Sequence, residues 1–344
     1  MNECLTYEDV LLVPQYSDII SRKEIDLSAS FDNKIVLDNP IISSPMDTVT
    51  GLDMAYTLGA RGSLGVIHRY MPIDEQAALA RELYSSLPAV KFLTPNIAAA
   101  IGVQGDYLER ATELVNNNVN ILCVDVAHGH HILVKKAITK IKSRFDHRVH
   151  IMAGNIATRE GYVALSRWGA DSVRCNVGGG SICSTRIQTG HGVPGLHTLF
   201  ECAAAKEGHA KIIADGGIRS SGDMTKALAA GADFVMLGSL LAGTDESPGD
   251  KIVTKNGIKK QYRGMASKDA QIDWRGKYSS NEGVSTTIPY KGPVELILDD
   301  LLRGLRSGLS YSGVRNIKEL QENAIFIRQT AAGQVESDTH ILKK

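Results

Sequence analysis

The stretch ILCVDVAHGHHILVKKAITKIKSRFDHRVHIMA, residues 121–153, contains a complete strand–helix–strand unit. The apolar runs 121–125 and 150–153 are too short for helices, and their composition predicts strands. Between them, the sequence predicts a helix over 131–145. One face of this helix is apolar and contains Leu133, Ala137, Ile138 and Ile141, and the opposite face is rich in lysine. Strands joined by a helical crossover lie parallel in a sheet, so this unit predicts a parallel sheet covered by helices.

The same unit recurs along most of the chain. Predicted strands cover residues 41–44, 63–67, 96–100, 121–125, 150–153, 172–176, 212–215 and 234–237. Helical patterns separate them at 51–59, 74–86, 106–117, 131–145, 159–168, 196–208 and 221–230. This alternation predicts an α/β fold of the (β/α)₈ TIM-barrel type. A doubly wound sheet is the alternative, although the glycine fingerprint expected after its first strand is missing from the sequence.

Composition narrows the class of protein. The chain has 344 residues, 43% of them hydrophobic, which is enough for one large domain or two ordinary ones. Its 38 basic and 38 acidic residues cancel, so we expect no nucleic-acid partner and no anionic-membrane partner. Five cysteines without zinc-ligand spacing indicate a reducing compartment. With no signal-peptide pattern and no apolar run of ~20 residues, we expect a cytoplasmic protein.

Segments outside the repeating units suggest a single barrel domain, 1–344, with three additions. Residues 1–30 mix short apolar pieces with Pro14 and charge, as an arm wrapping a domain would. The span 243–292 after the eighth strand contains a predicted hairpin, 251–253 with 258–261, and a flexible remainder that suits an active-site flap. A closing helix over 294–309 follows, and the polar tail 333–344 is expected to fray unless it binds a neighbouring subunit.

The run GGGSICSTR, residues 178–186, provides the candidate nucleophile. Three glycines allow backbone conformations closed to other residues and permit close approach of a ligand. Cys183 can attack an electrophilic carbon when nearby positive charge or dipoles hold it as thiolate, and Thr185 and Arg186 are close enough in sequence to help. The alternative is that Cys183 is a small buried hydrophobe.

Two glycine turns at strand ends predict a phosphate site. Asp215-Gly216-Gly217 follows the seventh predicted strand and Gly238-Ser239 follows the eighth, where barrels commonly bind phosphate on backbone amides. Together with Ser181 they predict a phosphate-ester ligand, although each pair alone is an ordinary tight turn. Asp215 either accepts hydrogen bonds from a sugar diol or caps its own turn. The segment 262–265 follows the predicted hairpin and is placed to close over the ligand.

Five stretches resemble the IMP dehydrogenase and GMP reductase family: LTYEDVLL (5–12), SPMDTVT (44–50), GSIC (180–183), ADGGI (214–218) and YRGM (262–265). The resemblance covers nearly the whole chain. It implies a homotetrameric barrel whose Cys183 forms a covalent adduct at C2 of a purine nucleoside monophosphate.

The resemblance also implies individual roles. The phosphate would be held by Ser181, Gly217, Gly238, Ser239 and Tyr262. Asp215 would bind the ribose, and the base would lie against Met46, Gly264 and Met265. The nicotinamide side would be lined by Asp125, His128 and Asn155, with Arg186 added to the cofactor-binding set. The carbonyls of Gly178, Gly180 and Cys183 would be potassium ligands, as in the dehydrogenases.

The motifs divide between the two activities. DVAHGH (125–130), Gly238-Ser239 and SDTH (337–340) are similar to bacterial dehydrogenases, whereas Thr189-Gly190, ECA (201–203) and FIR (326–328) are similar to reductases. The dehydrogenases usually insert two regulatory modules between the third and fourth barrel units, but here residues 98–125 run straight through.

The flap favours the reductase. Dehydrogenases activate water with an Arg-Tyr pair on a long flap, whereas the span 266–281 is short and contains only the looser RGKY (275–278). Thr185 with Glu282 matches the pair with which reductases expel ammonia, so we expect a GMP reductase that uses NADPH. IMP dehydrogenase with NAD is the close alternative. An FMN-binding barrel oxidoreductase and a non-catalytic nucleotide-sensing barrel are alternatives from other classes.

Overall fold

The structure is a computed structural model, and it describes residues 3–88, 95–205, 207–337 and 339. Its centre is a closed barrel of eight parallel strands, so the predicted (β/α)₈ fold class is confirmed. We number these strands β1 (Ile41–Ser43), β2 (Leu64–Ile67), β3 (Ala98–Ile101), β4 (Ile121–Asp125), β5 (His150–Ile156), β6 (Ser172–Cys175), β7 (Lys211–Asp215) and β8 (Phe234–Leu237). Pairing of β8 with β1 closes the barrel.

Among the described residues, eight helices cover the barrel. They are α1 (Leu52–Ala60), α2 (Ile73–Ser86), α3 (Tyr107–Asn116), α4 (Ile132–Phe145), α5 (Arg159–Trp168), α6 (Gly195–Ala203), α7 (Ser221–Ala229) and α8 (Val294–Tyr311). In α4 the buried face contains Val134, Ala137, Ile138 and Ile141, while the lysines of the opposite face are exposed. The apolar stripe read from the sequence therefore packs on the barrel, as an amphipathic helix requires.

The N-terminal arm makes two structures. Its strand Val10–Leu12 pairs antiparallel with Phe326–Arg328 near the other end of the chain. Further on, the short strands Ala29–Ser30 and Val36–Leu37 form a hairpin that presents Phe31 to the bottom of the barrel. The Phe31 ring stacks on Phe234 of β8 at a centroid distance of 3.9 Å. This contact closes the end of the barrel opposite the strands' carboxyl ends.

The flap is more ordered than its composition suggested. The predicted hairpin is present as Ile252–Thr254 and Gly257–Arg263, and a third strand, Ser285–Pro289, pairs with the second. A helix, Lys268–Arg275, stands where a flexible remainder was expected, and the Ser267 side chain caps it by accepting from the Ala270 amide. The third strand is mostly polar and half-exposed, so it lacks the hydrophobic alternation by which strands are detected.

Other short elements had no sequence signal. They are the helices Thr185–Thr189, Ile317–Asn323 and Ala331–Glu336, the strand Phe326–Arg328, and three 3₁₀ turns, Tyr7–Asp9, Arg22–Glu24 and Asp146–Arg148. The first part of the predicted tail is thus helical, and most of the remainder lies outside the described residues. Between β3 and β4 the chain forms only α3, so the third unit carries no inserted module. No helix among the described residues is long and apolar enough to cross a bilayer.

Two buried histidines couple this fold to pH. Burial lowers the pKa of His68, in the loop after β2, and of His150, at the start of β5, to about 4 in each case. His150 shares a hydrogen bond with Ser172 of β6 at 2.8 Å, and the imidazole of His68 accepts the amide of Tyr70 at 3.2 Å. Both imidazoles are therefore neutral in the folded protein near neutral pH.

We predict that the protein loses stability as the pH falls from 6.5 towards 4. Across this window the unfolded chain binds protons at His68 and His150 and the folded chain does not, so protons favour unfolding. Each histidine should lower the free energy of unfolding by about 2 kcal/mol at pH 5. Urea unfolding at pH 7 and pH 5 measures the loss. His150→Gln, which can keep a bond to Ser172, should remove part of it, and an unchanged pH dependence would contradict the assignment.

Candidate active site

Two adjoining cavities open at the carboxyl ends of the barrel strands, and Cys183 borders both. The first, of about 210 Å³, is lined by all nine residues predicted to bind substrate: Met46, Ser181, Asp215, Gly217, Gly238, Ser239, Tyr262, Gly264 and Met265. The second, of about 270 Å³, contains Asp125 and Asn155 of the predicted cofactor set. The sequence motifs therefore converge on one mouth of the barrel, as loops of this fold do.

The cysteine loop is joined to the returning end of the flap. Cys183 forms an antiparallel bridge with Gly283. The amide of Ser184 donates to the Glu282 carbonyl at 2.9 Å, and the amide of Val284 donates to the Ile182 carbonyl at 2.9 Å. These hydrogen bonds join the cysteine loop to residues of the flap that are far away in the sequence. The position of Cys183 therefore depends on the flap being folded.

A hydrogen-bonded chain runs from the thiol to a carboxylate. The Cys183 thiol donates to the Thr185 hydroxyl, with 3.2 Å between Sγ and Oγ1, and that hydroxyl donates to Glu282 Oε2 at 2.8 Å. Thr185 is buried, whereas Cys183 and Glu282 are half-buried and border the cavities. This arrangement can move a proton between sulfur and carboxylate through one hydroxyl, as a nucleophile activated by a base requires.

The other cysteines of the barrel differ from Cys183. Cys123 lies within β4 and Cys175 within β6, and both are fully buried. Burial raises the pKa of Cys123 to about 12 and raises that of Cys175 well above its ordinary value. Since a thiolate is the nucleophilic form, these two thiols are inert by comparison.

The predicted phosphate side combines glycine turns with two hydroxyls. Tyr262 is buried, and its phenol lies 3.2 Å from Ser181 Oγ. Burial raises the pKa of Tyr262, so the phenol stays a neutral hydrogen-bond donor. A Cβ at Gly238 would lie 3.4 Å from that phenol and 3.4 Å from Ser44 Oγ, so glycine leaves this corner open. A small anion would meet amide and hydroxyl donors here.

A buried arginine of the second cavity is paired with Asp215, which lines both cavities. Arg174 lies within β6 with 3% of its side chain exposed. Its guanidinium forms a close ion pair with Asp125 and lies 3.9 Å from Asp215 Oδ2, while Arg69 lies 3.8 Å from Asp125. Asn155 also donates to Asp215, at 2.9 Å. Burial raises the pKa of Asp215, although Arg174 and Asn155 oppose the rise.

The flap helix packs against the loop that follows β2. Tyr70 in that loop donates its hydroxyl to the Met265 carbonyl at 2.8 Å, and its ring stacks on Trp274 at 5.9 Å. The guanidinium of Arg275 lies 5.9 Å from the centre of the Tyr70 ring. Arg263 binds Asp47 through two nitrogens, at 2.9 and 2.7 Å. These contacts hold the flap across both cavities.

Two predicted residues lie apart from the cavities. Arg186 donates to the carbonyls of Val193 at 2.7 Å and Val177 at 3.4 Å. Its guanidinium therefore stabilises the backbone at the start of the cysteine loop and does not contact the Cys183 thiol. His128 is exposed and does not line either of these cavities. Their cofactor-binding roles stay predictions, as do the potassium ligands. Gly178 and Gly180 lie on the second cavity, and the Gly180 carbonyl accepts the Cys183 amide at 3.1 Å.

Several residues that line the second cavity had no role predicted from the sequence, among them Arg69, Tyr70, Arg174 and Asn176. Arg174 had a usable signal, because a charged residue inside an otherwise apolar strand is rarely buried without a partner. The others stand in loops, where their neighbours depend on closure of the barrel.

Comparison with known proteins relates the whole chain to one family. The family model described as IMP dehydrogenase / GMP reductase domain matches residues 4–340. Inosine-5'-monophosphate dehydrogenase of Nitrosopumilus maritimus is 35% identical, with 98% of each chain covered. GMP reductase of Leishmania major is 32% identical, covering 99% of this chain and 98% of its own. A crystal structure of a cysteine-to-alanine GMP reductase from Trypanosoma brucei, in complex with GMP, superposes with a TM-score of 0.91 at 30% identity, covering 99% and 98% of the two chains.

We predict that Arg174→Met lowers the free energy of unfolding by about 3 to 5 kcal/mol, because it leaves Asp215 without its cation and Asp125 with Arg69 alone. The deficit relative to the unsubstituted protein should shrink between pH 7 and pH 5, since burial raises the pKa of Asp215 and its carboxyl takes up a proton in the folded state once Arg174 no longer opposes the rise. Urea unfolding measures both effects. Arg159→Met, which breaks an exposed pair with Glu207, is the matched control and should change little. An equal effect of both substitutions would contradict the prediction.

Proposed function

Because this chain belongs to the IMP dehydrogenase / GMP reductase family of purine-nucleotide oxidoreductases, we propose that it is a GMP reductase. In this reaction GMP and NADPH, with protons from solvent, give IMP, ammonia and NADP. The observation that carries the proposal is the chain Cys183–Thr185–Glu282, which leads from the candidate nucleophile to a carboxylate at the flap. Expelling ammonia needs a proton donor at the adduct, and this chain provides a path for protons there.

The first cavity supplies the binding groups for the nucleotide. Ser181, Tyr262 and the turns at Gly217 and Gly238 would bind the phosphate, while Asp215 would accept from the ribose hydroxyls. Met46 and Met265 would lie against the base. With the nucleotide held in this way, Cys183 Sγ attacks C2 and forms a C–S bond, and the 2-amino group leaves as ammonia after protonation through Thr185 and Glu282.

The second cavity fits a nicotinamide cofactor. It borders Cys183 and offers polar groups from three elements: Tyr70, Asp125 and Asn155. NADPH bound there would supply the hydride that replaces the amino group at C2, after which the C–S bond breaks and IMP leaves. Potassium would be held by carbonyls of the cysteine loop, since carbonyl oxygens replace the hydration shell of this ion elsewhere. We propose a homotetramer for the assembly, as the family resemblance implies.

IMP dehydrogenase is the second candidate, and one contact favours it. The guanidinium of Arg275 lies over the ring of Tyr70, which lines the second cavity, so an arginine and a tyrosine distant in sequence are in contact beside it. Such a pair is what the dehydrogenases use to activate water. Its tyrosine hydroxyl, however, is engaged with the Met265 carbonyl. GMP reductase remains the first proposal because Glu282 is hydrogen-bonded to Thr185, which accepts the hydrogen bond of the Cys183 thiol.

We predict that the purified protein consumes NADPH with GMP and shows little activity with IMP and NAD, measured at the nicotinamide absorbance band. Cys183→Ala should abolish turnover while GMP binding persists by calorimetry, because the phosphate and ribose contacts do not involve the thiol. Cys175→Ala, in a buried strand, is the control and should be mild. Retained turnover in Cys183→Ala would remove the covalent mechanism. A yellow purified protein would favour an FMN-binding barrel oxidoreductase. GMP binding without turnover would favour a non-catalytic nucleotide-sensing barrel.

We predict that Glu282→Gln slows ammonia release from GMP by roughly 10²- to 10⁴-fold, the usual value of general acid–base help. Arg275→Ala should have a much smaller effect, because its guanidinium contacts Tyr70 rather than the Cys183–Thr185–Glu282 chain. Single-turnover assays of both variants measure the difference. The reductase proposal fails if the protein oxidises IMP with NAD at a normal enzymatic rate and Arg275→Ala abolishes that activity.

A further inference from the structure

Asn176 stands at a backbone position suited to glycine. It follows β6 directly, its φ is 128°, and it is 4% exposed. Side chains are strained at such angles, and glycine is not. Its amide nitrogen Nδ2 donates to the Gly216 carbonyl at 3.1 Å, whereas Oδ1 is buried without a hydrogen-bond partner among the described residues. A strained and incompletely satisfied side chain at the edge of an active site suggests that its presence serves the site rather than stability.

The carboxamide of Asn176 fills the space between two glycine segments. A Cβ at Gly179, in the cysteine loop, would lie 2.2 Å from Nδ2 of Asn176, so only glycine fits against it. On the other side, a Cβ at Gly216 would lie 3.5 Å from the same nitrogen and 3.2 Å from the Gly180 amide. The side chain therefore contacts the loop that carries Cys183 and the turn that follows Asp215.

The backbone of Asn176 is connected to the same turn. Asn155 Nδ2 donates to the Asn176 carbonyl at 3.1 Å and to Asp215 Oδ2 at 2.9 Å. The amide of Asn176 donates to the Ile156 carbonyl at 2.7 Å. The amide and the carbonyl of Asn176 are thus both held by hydrogen bonds, and Asn155 connects its carbonyl to Asp215, the residue that would bind the ribose.

We propose that Asn176 is a positioning residue that sets the distance between Cys183 Sγ and the purine C2 of a nucleotide bound at Asp215. This rests on the proposed reaction at that site. The three glycines 178–180 leave the loop free to adopt many conformations, and the Asn176 carboxamide selects one by contact with Gly179. Asp215 keeps its own bonds to Asn155 and Arg174, so nucleotide binding depends on Asn176 less than the attack does.

The test is Asn176→Gly, which relieves the backbone strain and removes the carboxamide. With GMP and NADPH we expect kcat to fall by roughly 10- to 100-fold, as a small misplacement of a reacting atom does. The KM for GMP should change by less than about threefold. The thermal midpoint should stay equal or rise. A merely structural role would instead lower the midpoint and leave the kcat of the folded protein unchanged.

Asn118→Gly is the matched control. Asn118 also has a positive φ, 69°, but it is exposed just beyond the end of α3. This substitution relieves the same kind of strain and should leave kcat unchanged. Asn176→Asp is the second variant, because it keeps the size of the side chain but cannot donate to the Gly216 carbonyl. The Gly216 carbonyl repels the carboxylate oxygen that takes the place of Nδ2 and displaces the side chain from Gly179, so kcat should fall as in Asn176→Gly.

Gly179→Ala tests the contact itself. The added methyl group collides with Asn176, so this variant should lose both stability and kcat. In the double variant Asn176→Gly with Gly179→Ala the space is vacated, and the thermal midpoint should recover while kcat stays low. An additive loss of stability in the double variant would show that the two residues are independent and would overturn the proposal.

Alkylation of Cys183 gives a readout that does not need turnover. Iodoacetamide labelling followed by peptide mass spectrometry should run at least about threefold faster in Asn176→Gly, because the loop no longer holds the thiol on Thr185. If the protein oxidises IMP instead, the proposed function fails. The positioning role is then tested by comparing the same variants with IMP and NAD as substrates. If wild type and Asn176→Gly agree within about twofold in both kcat and labelling rate, the positioning role is wrong and the proposed function is untouched.

Discussion

The ion pairs of Arg174 organise the mouth of the barrel. A guanidinium with 3% of its side chain exposed needs negative partners, and Asp125 on β4 and Asp215 on β7 provide them from either side of β6. Burial alone would lower the pKa of Arg174, but Cys123 and the neighbouring carboxylates of Asp125 and Asp215 more than offset this and raise it. Because the removal of one partner would leave a charge buried and unpaired, the three strands are bound to one arrangement at this end.

This arrangement has a chemical consequence. Asp125 belongs to the second cavity and Asp215 to both, so one cation fixes the relative placement of the two binding regions. A hydride transfer requires its two reactants to be held within reach of each other, and the placement of two pockets by a common charged group serves that end. Asn155 adds a neutral link, since it bonds both Asp215 and the carbonyl of Asn176.

The flap contributes one of the three residues of the candidate catalytic chain. Glu282 stands 97 positions beyond Thr185 in the sequence, and the two meet because the segments 182–184 and 282–284 share backbone hydrogen bonds. Arg263 on Asp47, and Trp274 on Tyr70, fix the flap at two further points. The site is therefore assembled from loops of several barrel units, and the barrel supplies the rigid frame on which they meet.

The sequence alone determined the barrel and many of the residues at its mouth. Strands and helices are local patterns, and in a parallel barrel every strand's carboxyl end faces the same way, so glycine turns and polar residues after the strands must lie together. Gly217, Gly238 and Ser239 share one cavity for this reason, whereas the flap residues Tyr262, Gly264 and Met265 of the same cavity were predicted from the family resemblance. Only the tertiary structure decided which groups touch: Glu282 on Thr185, Arg275 on Tyr70, Arg174 between two carboxylates, and Asn176 against Gly179. These contacts join residues far apart in the chain or depend on backbone angles, and no periodicity encodes distances that exist only after the barrel closes.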